Sequence, residues 1–268
     1  MLTDSQIEGW LREDVGHHDV TNAVPGRTTG RLVATAEGVA AGIEAASRVF
    51  GSLGVDIVDR VADGDGVETG ETVLRVEGPA REVLRGERVA VNVAAHASGI
   101  TTRTRAAVEA ARAVDDEVRV AGTRKTTPGL RGVEKRAIAA GGGDTHRLDL
   151  SGMAMVKDNH IAELGLERAV ERIRERTSFA TQVEVEVETA AEATRATAAG
   201  ADVVLFDNFD PPDLSEAVET VPGDVLTEAS GTITVETVPE YAATGVDIVS
   251  LGSLTHSAPA LDFSFRTG

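Results

Sequence analysis

The chain has 268 residues, 26 Lys or Arg against 44 Asp or Glu, a formal net charge of −18 and no cysteine. Disulfides, thiolate metal sites and cysteine nucleophiles are thereby excluded, and so acidic a surface repels the phosphates of nucleic acid. The length allows one large domain or two of ordinary size with a substantial core.

No stretch approaches the roughly 18 consecutive apolar residues of a membrane span, and the acidic start MLTDSQIEGW lacks the basic-then-apolar order of a signal peptide. A cytoplasmic protein is expected. The acidity, an aromatic content of 3% and the scarcity of lysine suggest a surface adapted to high salt. Full stability and activity in dilute buffer would disprove that expectation.

Thr3-Asp4-Ser5-Gln6 reads as a capping box, opening a short helix with Ile7, Trp10 and Leu11 on one face. The His17-His18 pair stands among acids and is read as a loop rather than a metal site. From Gly30 to Gly78 the pattern predicts strands at 31–36, 55–61 and 71–76, with tight turns between them. Asp63-Gly64-Asp65-Gly66 lacks the later ligands of a calcium loop and is read as a hairpin turn. Pro79 starts a helical stretch, and a second helical run covers Ser98 to Val114.

Beyond Asp115-Asp116-Glu117 short apolar runs, each ending in a polar or charged residue, alternate with helical segments. The runs are 118–121, 153–156, 183–185, 203–206, 225–226 and 248–251. The helices are signalled by Leu166 to Ile173, by Thr189 with Glu192, by Asp210-Pro211 and by Thr237 to Glu240. Such alternation predicts a (β/α) barrel with its site at the C-terminal ends of the strands. A doubly wound open sheet is the alternative.

The stretch from Val118 to His160 stands apart, with eight Arg or Lys (Arg119, Arg124, Lys125, Arg131, Lys135, Arg136, Arg147, Lys157) against four acids. All three lysines of the chain fall within it. A solvated basic face is the simplest account of a charge run. The confinement of lysine favours a site for a multiply anionic ligand.

Thr123-Arg124-Lys125-Thr126-Thr127-Pro128-Gly129-Leu130-Arg131, then Gly141-Gly142-Gly143 with His146-Arg147, then Lys157-Asp158-Asn159-His160 resemble in order the signature of quinolinate phosphoribosyltransferases. The likeness continues to the C-terminus. It implies an incomplete, seven-stranded (β/α) barrel (115–268) preceded by an α+β, sandwich-like N-terminal domain (1–114) with dimer-contacting helices. The last residues would pack back on that domain.

The reaction implied is phosphoribosyl transfer from phosphoribosyl pyrophosphate to quinolinate with decarboxylation. Arg124, Arg147 and His146 then suit the two carboxylates of the acceptor, and Lys125 and Lys157 suit pyrophosphate oxygens. Glu186 and Asp207 would hold the ribose hydroxyls and Mg2+, mostly through substrate. Glu184, Glu186 and Glu188 share a strand face, and the resemblance selects Glu186.

The 5′-phosphate is expected at Ser230-Gly231-Thr232 and Gly252-Ser253, with His256 near pyrophosphate. By the same resemblance Arg88 crosses into a partner's site in a homodimer or higher oligomer. Two departures from the family pattern are Asp144-Thr145 before His146 and Thr232 in place of a second Gly. A related transferase with another acceptor base, of the molybdenum-linked type, and a non-catalytic sensor of phosphoribosyl pyrophosphate are the competing readings.

Overall fold

The computed structural model describes residues 2–268. In chain order the first elements are α1 (Asp4–Val15), β1 (Arg27–Ala34), β2 (Gly38–Val39), α2 (Ile43–Ser52), β3 (Asp56–Arg60), β4 (Gly66–Val67), β5 (Thr72–Pro79) and α3 (Ala80–Arg112). There follow β6 (Arg119–Ala121), α4 (Arg131–Ala140), β7 (Ala154–Val156), α5 (Asp158–Leu164), α6 (Leu166–Arg174), β8 (Val183–Val187) and α7 (Ala190–Ala198). The chain closes with β9 (Val203–Asp207), α8 (Pro211–Val218), β10 (Leu226–Ser230), α9 (Val238–Ala242), β11 (Ile248–Ser250), α10 (Ser253–His256) and β12 (Phe263–Thr267). Two compact units result: one takes in the residues up to Arg105 with Thr127–Gly142 and Ser257–Gly268, the other Ala106–Thr126 with Gly143–His256.

The first unit is built on an antiparallel sheet ordered β12-β1-β5-β3, with a small β2-β4 pair. The C-terminal strand returns to pair with the first, Gly30 opposite Thr267. Thr3 caps α1 as the sequence predicts: its side chain accepts from the Gln6 N–H, and the Gln6 side chain accepts from the Thr3 N–H at 3.0 Å. Its core includes Phe50, Leu32, Leu74, Val83, Ile100 and Ile138.

Three features of this unit differ from expectation. Residues 43–52 form α2 where only strands and turns were expected. The helix starts from Gly42 without a local side-chain cap; the Ile43 N–H instead donates to Asp63 Oδ1 at 2.9 Å, which gives the Asp63–Gly66 turn its use. The two expected helical runs after Pro79 are one continuous α3, since Gly86 and Gly99 cost it some stability without breaking it. Residues 131–140 form α4, and they cluster with the first unit although the domain boundary was expected at 114/115.

Lys135 and Glu134 are both buried on α4. Burial by itself would raise the Glu134 carboxyl, but hydrogen bonds from His96 (2.9 Å) and the Thr127 N–H (3.1 Å) outweigh it and hold the group below its ordinary range.

Gly99 is the tightest point of the unit: a Cβ there would lie 2.0 Å from the Pro259 carbonyl oxygen and 2.9 Å from the Ala260 Cα. Both neighbours are backbone and cannot rotate away. Gly99→Ala is expected to cost about 3 kcal/mol or more, read as a lower denaturant midpoint. Gly9→Ala, at a helical position with nothing within 4 Å of the new Cβ, should be neutral or stabilise by about 0.5–1 kcal/mol.

The second unit is a six-stranded parallel sheet ordered β6-β11-β10-β9-β8-β7. From β7 to β11 each strand pairs with its successor, and the last strand pairs with the first, Ile248 opposite Arg119. A doubly wound sheet would reverse direction at a switch point. This one winds in one sense, its last strand returning to pair with its first, and stays open at one seam, an incomplete (β/α) barrel.

The opening lies between β6 and β7. In place of a full seventh strand, a single bridge occupies the free edge of β6, where the Asp144 N–H donates to Val120 O (2.8 Å) and the Gly122 N–H to Asp144 O (2.9 Å). Val183, Val185, Val187, Val204, Phe206 and Ala229 pack outward into a core with the helices. Strand alternation therefore turns Glu184, Glu186, Asp207, Glu228 and Ser230 to the barrel interior.

Candidate functional site

Three parallel strands of the second unit end side by side in functional groups. Ser230 at the end of β10 is in register with Asp207 at the end of β9, while Glu186 on β8 is opposite Leu205. The alternation of Glu184, Glu186 and Glu188 resolves by depth: Glu184 is buried, Glu186 half-buried and Glu188 exposed. The Lys157 ammonium, at the end of β7, pairs with the Glu186 carboxylate. Asp207 accepts from the Asn208 side-chain amide at 2.9 Å.

Asn208 was not foreseen. It holds a left-handed backbone conformation (φ 57°), its N–H donates to Ser230 O at 2.9 Å, and its Oδ1 accepts from the Thr232 hydroxyl at 3.3 Å. It thus stitches the end of β9 to the Ser230-Gly231-Thr232 loop. Gly231 (φ 135°) is required there, because a Cβ would fall 2.4 Å from Asn208 Oδ1. Thr232, in the position of the usual second glycine, is exposed and uses its hydroxyl in this network. Asn is among the residues that tolerate the left-handed region, and its place directly after the strand-end Asp207 was the available signal.

Thr123, Lys125, Gly252 and His256 also come together. A Cβ on Gly252 would lie 2.8 Å from Lys125 Cδ, 3.4 Å from His256 Nε2 and 3.5 Å from Thr123 Oγ1. Thr123 Oγ1 accepts the Lys125 N–H (3.0 Å), and the Thr255 hydroxyl donates to Lys125 O (2.6 Å). Lys125 is thereby fixed at its backbone while its side chain stays exposed. Arg124 Nε and Ser253 Oγ are buried and take no hydrogen-bond partner among the described residues, a donor set left for an anionic ligand.

The His146-Arg147 segment hangs from the free edge of β6. His146 has φ 52°, uncommon for a non-glycine residue, and its N–H donates to Asp144 Oδ1 at 2.7 Å. The other Asp144 oxygen is 3.9 Å from the Arg119 guanidinium. The carboxylate at this departure from the family pattern is therefore already engaged by its own chain.

Inside the barrel His146 Nε2 is 3.1 Å from Glu228 Oε2 and 3.6 Å from Glu184 Oε2. Only the first distance is a hydrogen bond; Glu184 acts through its charge. One ligand-type atom from each of these residues lies within 4.8 Å of the others, a spacing that a cation could also use. Burial alone would lower the imidazole's pKa, but the two glutamates outweigh it and raise it to about 10. A metal at this spacing would have to displace that proton.

Arg147 shares the space with Arg124. Burial lowers its pKa, Arg124's positive charge adds to that, and Glu184, Glu186 and Glu228 oppose both. A guanidinium still stays charged under such pressure, so the two cations act on one another through their charge in a partly desolvated place. A cavity of about 580 Å³, lined in part by Arg119, Asp144, His146, Arg147 and Glu228, opens beneath them at the N-terminal ends of the strands.

Arg88 belongs to the first unit, on α3, with an exposed side chain whose nearest acid is Glu87 at 3.8 Å. Of the three lysines, Lys125 and Lys157 belong to the barrel unit and Lys135 to the buried face of α4.

Residues 19–98 match the N-terminal domain, and residues 100–266 the C-terminal domain, of quinolinate phosphoribosyl transferase. A probable carboxylating nicotinate-nucleotide pyrophosphorylase of Methanothermobacter thermautotrophicus is 43% identical over 270 residues, covering 97% of each chain. The carboxylating nicotinate-nucleotide pyrophosphorylase of Homo sapiens is 42% identical over 266 residues, covering 97% of this chain and 90% of its own. Among solved structures, NadC from Streptococcus pyogenes superposes with a TM-score of 0.93 at 40% identity, covering 99% of this chain and 97% of that one. With both domain families matched in order along nearly the whole chain, and the barrel presenting the motif residues at its strand ends, the chain belongs to the quinolinate phosphoribosyltransferase family.

Proposed function

We propose that the protein transfers the phosphoribosyl group of phosphoribosyl pyrophosphate to quinolinate and releases carbon dioxide, forming nicotinate mononucleotide and pyrophosphate in NAD biosynthesis. The observation that carries this is the meeting of Arg124 and Arg147 beside His146. Burial and the charge of Arg124 press on the Arg147 guanidinium, and Arg124 Nε has no partner among the described residues, so a small ring with two carboxylates supplies two matched partners. Nicotinate, with one carboxylate, would leave a cation unpaired.

The quinolinate nitrogen attacks C1 of the ribose, and the C1–O bond breaks with its electron pair leaving on pyrophosphate. No general base is needed, because the nitrogen carries no proton to lose. Positive charge gathers on the ribose, where Glu186 and Asp207 hold the hydroxyls and oppose it, while Lys125 faces the leaving group. The bond from C2 to its carboxylate then breaks; the electron pair stays on C2, takes a proton from solvent, and carbon dioxide departs.

The carboxylates of Asp207 and Glu186 fit a magnesium ion that draws most of its oxygens from substrate, and such an ion would neutralise charge on the pyrophosphate. Glu186 is also the partner of Lys157, so Asp207 is the freer ligand of the two. With purified protein, Mg2+ and quinolinate labelled at the 2-carboxylate, labelled carbon dioxide should appear in step with nicotinate mononucleotide. Turnover of nicotinate or another base without carbon dioxide from quinolinate would replace this reading by the alternative-acceptor one.

We further propose a homodimer with shared sites, Arg88 reaching the acceptor pocket of the partner. Mixed under subunit exchange, inactive Arg88→Ala and inactive Lys125→Ala would form heterodimers with one complete site each, restoring about a quarter of wild-type activity. If exchange is verified and the mixture stays inactive, Arg88 serves its own subunit or none.

A further inference from the structure

Neither Glu228 nor Glu184 has a part in the reaction above, yet both are ionisable groups buried in the barrel, where burial and the nearby Glu228 push the Glu184 pKa up and the His146 ring opposes the rise. Glu184 is 0% and Glu228 1% exposed, and neither Glu184 oxygen has a hydrogen-bond partner among the described residues. Burying two carboxylates for stability alone is a poor solution, since apolar residues of similar size would pack there at no desolvation cost. They sit one residue pair beneath the strand ends, Glu184 under Glu186 on β8 and Glu228 under Ser230 on β10, and both face His146 Nε2.

We propose that Glu228, assisted by Glu184, is a positioning residue of the acceptor pocket: it fixes the His146 ring and keeps it cationic, so that the segment carrying Arg147 presents a permanent positive site to a dicarboxylate. The proposal rests on the acceptor reading of His146 and Arg147 given above. Its geometric basis is two anchors that act on His146 itself. One is the β6 edge, through Asp144 and the strained left-handed turn at His146. The other is the 3.1 Å contact from His146 to Glu228.

The charged groups around the ring are Glu228 from β10, Glu184 from β8, Arg147 and Asp144 from its own segment, and Arg119 from β6 beyond Asp144. Arg124 and Glu186 act on Arg147. The sign follows from that balance: with the folded pKa raised to about 10, against about 6.5 for a free histidine, the ring is charged throughout the neutral range. Its partnership with the glutamates is complete below about pH 6.5 and disappears only as pH rises through about 10.

Two glutamate variants separate charge from orientation. The Gln side chain of Glu228→Gln can still accept from Nε2–H, so the ring stays oriented but loses the charge of its hydrogen-bond partner and keeps only that of Glu184 at 3.6 Å, whereas Glu228→Leu removes both the charge and the hydrogen bond. For wild type, KM for quinolinate should vary little between pH 6 and 8.5. For Glu228→Gln it should be near wild type at pH 6 and rise about tenfold by pH 8 as the ring deprotonates, with KM for phosphoribosyl pyrophosphate unchanged. For Glu228→Leu it should be raised at every pH. A Glu228→Gln profile that follows wild type across this range overturns the proposal.

Imidazole NMR of the unliganded wild-type protein tests it without substrate, with the resonance assigned by its loss in His146→Gln. The resonance should remain that of an imidazolium to pH 9. Titration near 6.5, or displacement of the proton by stoichiometric Zn2+ at neutral pH, overturns the proposal even if quinolinate proves to be the acceptor. A persistent imidazolium together with failure to turn over quinolinate would instead reject the acceptor assignment and leave the role of Glu228 standing.

Discussion

Asp207→Asn and Glu186→Gln should each lower kcat by about two to three orders of magnitude, the size of effect seen when one preorganised group facing transition-state charge is removed. Thermal midpoints should hardly move. Asp207 sits half-exposed at the end of β9, and its hydrogen-bond partner, the Asn208 amide, can bond an Asn side chain as well as an Asp. Glu186 pairs with Lys157 across a partly exposed gap, side chains 14% and 41% accessible, where an ion pair contributes about 1 kcal/mol at most.

The loss should therefore fall on turnover. Both substitutions keep shape and remove charge, which is the property that matters where the ribose becomes positive. Folding and kcat can be read on the same preparations. Wild-type turnover in both variants would remove these carboxylates from the reaction and return the phosphoribosyl-binding face to the Lys125 and Gly252 side of the barrel.

The barrel strands were legible because each is a short β-branched apolar run with a polar residue where it meets the site. The apolar period and the strand-end position are both set by neighbours a few residues away. Where the stabilising contact is distant in sequence, the signal disappears. Helix α2 is capped by Asp63, twenty residues beyond its first turn. The buried Glu134 of α4 makes sense only beside His96 and Thr127.

The basic stretch was the clearest sign of a site, yet it is not one surface. Lys135 lies buried on α4, while Arg124, Lys125, Arg147 and Lys157 belong to the barrel unit. Glu228 left no mark for a different reason. In a chain with 44 acidic residues one more Glu has no contrast, and only burial against His146 distinguishes it. Asp144 departed from the family pattern beside a carboxylate pocket, which raised the question of repulsion. Its hydrogen bond to the His146 N–H turns the same carboxylate into the anchor of the turn.

Arg124→Lys and Arg147→Lys should each raise KM for quinolinate by about 10- to 100-fold while leaving KM for phosphoribosyl pyrophosphate within about twofold, because a charge-assisted fork contributes about 1.5–3 kcal/mol and a lysine keeps only the charge. The two positions should not respond alike. Arg124 Nε is buried without a protein partner, so the guanidinium fork has one donor aimed at ligand that an ammonium at the end of a flexible stem cannot replace. Arg147 lies among Glu184, Glu186 and Glu228 and opposite Arg124. A lysine there, more strongly hydrated and more easily deprotonated when buried, adds a pH dependence: burial and Arg124 push its pKa down, so the KM increase should grow as pH rises from 7 to 9. KM measured for both substrates across that range decides the matter. If quinolinate affinity is unchanged in both variants, the two guanidiniums serve phosphate rather than the acceptor, and KM for phosphoribosyl pyrophosphate will show the loss instead.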